Sequence, residues 1–243
     1  MLNPLVLAAA PLALAACIVV VDATPDDGEF GIETSFAGQD REGRRAEAGE
    51  VLAAEATLDP FTIVEASAGV EVIVAPGDAY TISLDDDARR RASYAVEDGT
   101  LEVTCRKRRG WGGNCLRGDR GTLTVTLPRA EALRASSGAA LTLREGVALG
   151  DALSLRASSG AVLRAAGTRV AELDARASSG ASLDARGIEA ERASADASSG
   201  ASVRLGTIRA TLDAEASSGA SVSYAGTPQV DRRASSGGSV SGR

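Results

Sequence analysis

The chain has 243 residues and a formal net charge of −7, with 33 acidic against 26 basic side chains. That length holds one domain or two small ones, and the negative balance argues against a protein that grips nucleic acid over its whole surface. There is no histidine, which excludes Ser-His-Asp catalysis and His-ligated metal sites; no metal or cofactor is expected, and three Phe, one Trp and three Tyr leave little for an aromatic core.

Leu5 to Ala16 is an apolar run of secretory-signal length, too short to span a bilayer. It ends in Leu14-Ala15-Ala16-Cys17, which resembles the lipobox of bacterial lipoproteins. In those proteins the cysteine is lipidated and becomes the first residue of the mature chain. Met1-Leu-Asn-Pro4 lacks the basic residues that usually open such a leader. Ile18 stands where an inner-membrane retention signal would place Asp. The resemblance therefore implies a lipid anchor at Cys17 and an outer-membrane location, on the periplasmic face or at the cell surface. Residues 18–57 are acidic, Gly-containing and aperiodic. They read as a tether, with a short helix around Glu50–Ala56.

Folded sequence is expected over 58–243, divided into N-terminal strands with a basic loop (58–128) and a repeated part (129–243). Phe61 to Asp78 gives two strands around Ala66-Ser-Ala-Gly69, and Pro76-Gly77 makes a turn before a strand at Tyr80–Leu84. Asp85–Ser93 suits a helical turn. Tyr94-Ala-Val96 and Leu101–Cys105 flank a Glu97-Asp-Gly99 turn, and Thr122–Leu127 is expected to pair with 101–105. With Cys17 taken by lipid, Cys105 and Cys115 form an even pair in an oxidising compartment. A bridge between them closes about eleven residues, worth up to roughly 3 kcal/mol by loop entropy.

The segment 106–120 carries six basic residues (Arg106, Lys107, Arg108, Arg109, Arg117, Arg120) against one Asp, and holds the only Trp, Trp111. An Arg-rich loop around an indole suits the phosphate or carboxylate groups of envelope polymers or lipid head groups. The plainer alternative is a solvated loop whose charge opposes edge-to-edge aggregation. Arg117-Gly118-Asp119 matches the integrin tripeptide, a three-letter motif that carries little weight.

From residue 135 onward Ala-Ser-Ser-Gly occurs six times, starting at Ala135, Ala157, Ala177, Ala197, Ala216 and Ala234, at intervals of 22, 20, 20, 19 and 18 residues. A period near twenty is one coil of a β-solenoid, which cannot bury its own apolar face without stacked neighbours. The flanks alternate with period two, as in Leu153/Leu155/Ala157 and Ala161/Leu163/Ala165, so one face points in. If each strand runs straight through, the second serines (Ser137, Ser159, Ser179, Ser199, Ser218 and Ser236) point inward as a hydroxyl ladder, and the following Gly supplies a corner. An outward ligand- or ice-binding face is the functional alternative, disfavoured because the outward positions carry charge. Arg164, Asp184 and Arg204 occupy one position of successive coils, as do Arg176 and Asp196, so adjacent coils should stack opposite signs.

Phe61-Thr62, Gly69-Val-Glu-Val72, Pro76-Gly-Asp78, Gly99-Thr-Leu-Glu-Val103, Thr124-Val-Thr-Leu-Pro128 and the Ser-Ser-Gly coils occur in this order. The order resembles the head GIN domain family, named for auto-transporter adhesins and found in bacterial envelope lipoproteins, over about Leu58 to Gly242. The resemblance implies an all-β, right-handed parallel β-helix or solenoid with an N-terminal hairpin region. The function expected is that of a lipid-anchored envelope protein with a structural, adhesive or surface-interaction role and no catalysis. Its partners would be the membrane, through the anchor, and envelope polysaccharide or another envelope protein. A polymer- or solute-binding module using the basic loop is the alternative. A polysaccharide-active enzyme comes last, because the carboxylates are scattered over successive coils.

Overall fold

The repeated motif fixes one corner of every coil. In the computed structural model, which describes residues 52–106 and 121–243, the second serine and the glycine of each copy both have φ > 0, as at Ser159 (52°) and Gly160 (71°). Two successive left-handed residues are the geometry of a type I′ turn. The alanine after the glycine closes it: the Ala161 N–H donates to the Ser158 carbonyl at 3.1 Å, and the Ala201 N–H to that of Ser198 at 3.1 Å. The imperfect copy turns the same way, with Ala68 at 56° and Gly69 at 78°.

Successive corners are bonded to one another. The N–H of Gly160, Gly180 and Gly200 each donates at 3.0 Å to the carbonyl of Ser179, Ser199 and Ser218 in the next coil. The backbone ladder thus runs through the bend and satisfies groups that a corner would otherwise strand. This corrects the straight-strand expectation for Ser137, Ser159, Ser179, Ser199, Ser218 and Ser236, all of which are exposed. The left-handed pair swings the second serine out to solvent and returns the next alanine to the inside, so no inward hydroxyl ladder forms.

The elements in chain order are β1 (Glu55–Thr57), β2 (Ile63–Ala66), β3 (Glu71–Pro76), β4 (Thr81–Leu84), α1 (Asp86–Arg91), β5 (Ala92–Glu97) and β6 (Thr100–Cys105). Then come β7 (Thr122–Leu127), β8 (Arg129–Ala135), β9 (Ala140–Leu143) and β10 (Ala148–Ala157), and three long bent strands, β11 (Val162–Ala177), β12 (Ser182–Ala197) and β13 (Ser202–Ala216). β14 (Ser221–Gly226), β15 (Gln229–Ala234) and β16 (Ser239–Gly242) follow. Each coil has an arm before the motif and an arm after it. The arms before the motif stack as β5, β6, β2, β8, β10, the C-terminal parts of β11, β12 and β13, and β15. The arms after it stack as β1, β4, β7, β3, β9, the N-terminal parts of β11, β12 and β13, β14 and β16. The described chain is nearly all β, a solenoid of about six turns.

The inward parity is as the alternation predicts: Leu153, Leu155, Ala157, Ala161, Leu163 and Ala165 are each at most 4% exposed, and the later coils repeat the pattern. The first coils bury two or three Leu or Val per arm, as in β7 and β10, while most later arms combine one Leu or Val with small Ala, which lets the arms sit close without large side chains between them. Return from one arm to the next is less regular. Register shifts fall between Arg164 and Arg169 and between Ala185 and Arg192, and this far corner absorbs the shrinking repeat interval. Gly206 lies there because a Cβ would collide with the carbonyls of Ile188 and Arg186 in the preceding coil.

The N-terminal end differs from the sequence expectation in two places. Residues 52–57, assigned to the tether with a short helix, are part of the fold: Leu52 is 3% exposed, and β1 pairs antiparallel with β4. Leu52 is drawn in by its backbone bond to the Arg89 carbonyl and by Arg89 Nε, which donates back to the Leu52 carbonyl at 2.8 Å. In addition, β7 does not pair with β6; it pairs with β3 and β4. β6 and β7 lie on opposite arms and do not form a hairpin with each other. The hairpin β5–β6 and the helical turn α1, capped by the Asp85 side chain accepting from the Ala88 N–H at 2.7 Å, are as expected.

The corner geometry makes a specific demand on the second serine. Ser199→Asn should leave stability unchanged or raise it, since Asn adopts the left-handed region readily. Ser199→Val should cost about 1–3 kcal/mol, because a β-branched residue is strained there. Urea denaturation of both variants, followed by circular dichroism, checks the contrast.

Candidate functional site

Because coils stack in register, each outward position of the repeat becomes a column of side chains. Beyond the motif, Arg164, Asp184 and Arg204 are cross-strand neighbours, as the sequence predicts. Asp184 is held below the usual carboxylate range, first by hydrogen bonds from the Arg186 guanidinium (Nη2 to Oδ2, 2.6 Å) and also by the charge of Arg204; partial burial opposes them. At the far corner Glu189 accepts from Arg209 at 2.8 Å with Arg169 at 3.6 Å on the other side, and Glu189 is likewise depressed by these two arginines. Arg192 and Glu172 pair at 2.8 Å. These pairs are half-exposed, so each is worth little alone; their effect is on register.

The column directly before the motif behaves differently. In stacking order it reads Glu102, Glu65, Arg134, Arg156, Arg176, Asp196, Glu215, Arg233. Arg134 forms an ion pair with Glu65, and Arg176 lies 3.0 Å from Asp174 and 3.3 Å from Asp196. Among the described residues Arg156 reaches only Asp174, at 3.7 Å, and that carboxylate already accepts from Arg176. This column forms one wall of a groove of about 600 Å³ beside the motif corner. The first serines Ser67, Ser136, Ser158 and Ser178 also line it. Their half-buried positions come from the turn, which keeps the first serine at the strand end while the second is thrown outward. This groove was not found from the sequence. Its signal is the arginine just before the copies starting at Ala135, Ala157 and Ala177, readable only once those copies are known to stack.

Lys107, Arg108, Arg109, Trp111, Arg117 and Arg120, with Cys17 and Cys115, lie outside the described residues. Arg106 is engaged in the fold: its N–H donates to the Arg91 carbonyl and its Nε to the Ala92 carbonyl, both at 2.8 Å, which closes β6 onto β5. Cys105 ends β6 with 9% exposure, facing inward. Among the described residues no group of three or more His, Cys, Asp or Glu is placed to hold a metal ion. No helix among them is long and apolar enough to cross a membrane.

A family model described as "Putative auto-transporter adhesin, head GIN domain" matches residues 60–228. The crystal structure of a putative adhesin from Bacteroides fragilis NCTC 9343 is similar over 80% of this chain and 96% of its own, at 12% identity and a TM-score of 0.57. A putative adhesin from Parabacteroides distasonis ATCC 8503 matches over 80% and 98% of the two chains, at 14% identity and a TM-score of 0.48. At such identities the first of these shows a shared fold and nothing finer. No curated protein matches the chain.

The depressed carboxylates set the acid behaviour of the columns. A carboxyl held below its unfolded value contributes stability that is present above that value and is lost as pH falls through it, near pH 4 and below. Urea midpoints should therefore fall between pH 5 and pH 3. Asp184→Asn should be less stable than wild type at pH 6 and show a shallower fall on acidification.

Proposed function

We propose, for a chain that belongs to the head GIN domain family, a lipid-anchored role at the bacterial cell envelope in which the solenoid presents its outward columns to another surface component. The observation that supports this best is the in-register stacking. It turns short repeated sequence into long rows of exposed groups in register on a rigid support, the second serines identical and the charged positions mixed in sign, which suits adhesion to a repetitive or extended partner. The role is non-catalytic, and Cys17 carries the anchor, most simply in the outer membrane. The partner is an envelope polysaccharide or a second envelope protein.

The segment 106–120 belongs to the same reading as a basic contact for anionic envelope polymers, tied at its start by a Cys105–Cys115 disulfide. Arg106 is spent on the hairpin, so the binding charge is assigned to Lys107, Arg108, Arg109, Arg117 and Arg120, with Trp111 as a stacking surface.

Two experiments test this reading. Cys17→Ala should release the protein from membranes or leave it unprocessed, with loss of acyl label. Unchanged partitioning with no label on wild type would refute the anchor. For the basic segment, retention of the full chain on envelope fractions should fall steeply with salt, because screening acts on exposed charge. Lys107, Arg108 and Arg109 replaced together by Gln should lose that retention with the fold intact. Trp111→Ala should weaken it by about 0.5–2 kcal/mol. Equal retention of wild type and the triple variant at low salt would remove the segment from the function.

A further inference from the structure

In the column past the motif and at the far corner a charged residue is mostly stacked on its opposite or bridged by one. Arg134, Arg156 and Arg176 break that pattern: three arginines on adjacent parallel strands, with neighbouring Cα atoms about 4.8 Å apart. Like charges directly opposite on a sheet destabilise it, and the local acids relieve the conflict unevenly. Glu65 takes Arg134, while Asp174 and Asp196 take Arg176. Arg156, in the middle, lacks a carboxylate within hydrogen-bonding distance, and the Nε of Arg134 is buried with no hydrogen-bond partner. The donors of the Arg156 guanidinium thus remain unused at the centre of a groove whose other side is the first-serine row.

We propose that this groove binds a single tetrahedral oxyanion, the phosphate or sulfate ester of a small sugar-sized ligand, with Arg156 as its principal contact. Arg134 and Arg176 flank the anion, and the hydroxyls of Ser136 and Ser158 complete its hydrogen bonds. Three adjacent guanidiniums match the three acceptor oxygens of such an ester better than the two of a carboxylate. The acids at both ends of the arginine run, Glu102 and Glu65 on one side and Asp196 and Glu215 on the other, limit the length of negative charge that fits. A continuous polyanion is repelled at both ends, whereas one ester group is not. The site lies on the described strands and does not depend on the basic segment or on the adhesive reading.

The test is calorimetric titration of the full chain at low ionic strength with glucose 6-phosphate, inorganic sulfate, glucose and heparin, alongside melting curves without ligand. Glucose 6-phosphate and sulfate should bind and glucose should not, with heparin no tighter for each charge it carries. Arg156→Gln should weaken glucose 6-phosphate at least tenfold while its melting temperature without ligand equals or exceeds that of wild type, because a repulsion has been removed. Arg176→Gln, which breaks two ion pairs, should melt lower and so marks what a structural arginine does. The variant with Lys107, Arg108 and Arg109 changed to Gln should bind glucose 6-phosphate as wild type does, which separates this site from the basic segment. No binding by wild type at millimolar glucose 6-phosphate overturns the proposal. So does Arg156→Gln that melts lower and keeps its affinity, or heparin binding that depends on Arg156 and exceeds the ester for each charge.

Discussion

Everything in this fold depends on a backbone bend that repeats at the same place in each coil. A corner built from two left-handed residues is costly for ordinary L-residues and nearly free for glycine, which accounts for the invariance of the glycine among the six copies. The bend would also strand backbone donors and acceptors if it stood alone. Stacking provides the remedy, because the glycine N–H of one corner donates to the serine carbonyl of the next. The corner is thus satisfied only by its neighbours, and the solenoid is cooperative at the very position where the chain turns.

That dependence has a consequence for the side chains. Once the corners are aligned, every outward position faces its counterpart one coil away, and the sign of each charge is felt by two neighbours. Most columns resolve this by alternation, as Arg164, Asp184 and Arg204 do, or by one residue bridging two, as Glu189 does between Arg169 and Arg209. Against that background the column before the motif, with Glu102 on Glu65, the run Arg134, Arg156, Arg176 and Asp196 on Glu215, carries a local cost. Costs of this kind are what functional sites leave in stable folds.

The two ends of the solenoid differ in construction. At the N-terminal end antiparallel pairs are added to both arms, β5 on β6 and β4 with β1 on β7, so the parallel coils are covered by hairpin-like elements and α1. This keeps the first coil from exposing a long unpaired parallel edge. The basic segment follows Cys105 in the chain, and Cys105 ends the strand that forms the groove's first row through Glu102 and Thr104. Groove and segment are therefore neighbours along the chain, while resting on different chemistry: one on an arginine that shares a single carboxylate with its neighbour, the other on net positive charge and an indole.

The sequence by itself determined the repeat, its period and the inward parity, because period-two alternation and a motif recurring near every twenty residues follow from strand geometry alone. It also determined the opposite-sign columns past the motif and the family to which the chain belongs. It misplaced the second serines, since counting through a strand assumes that the strand stays straight, and only the dihedral pair at each corner shows that it does not. It paired β7 with β6 because they are adjacent along the chain; which arm a strand joins is decided by packing over long sequence separations. It set aside residues 52–57, whose place in the fold rests on the burial of Leu52, held by Arg89, and on pairing with β4, partners far along the chain. The groove was invisible for the same reason. Arg134, Arg156 and Arg176 lie some twenty residues apart and become one site only when tertiary stacking brings three coils into contact.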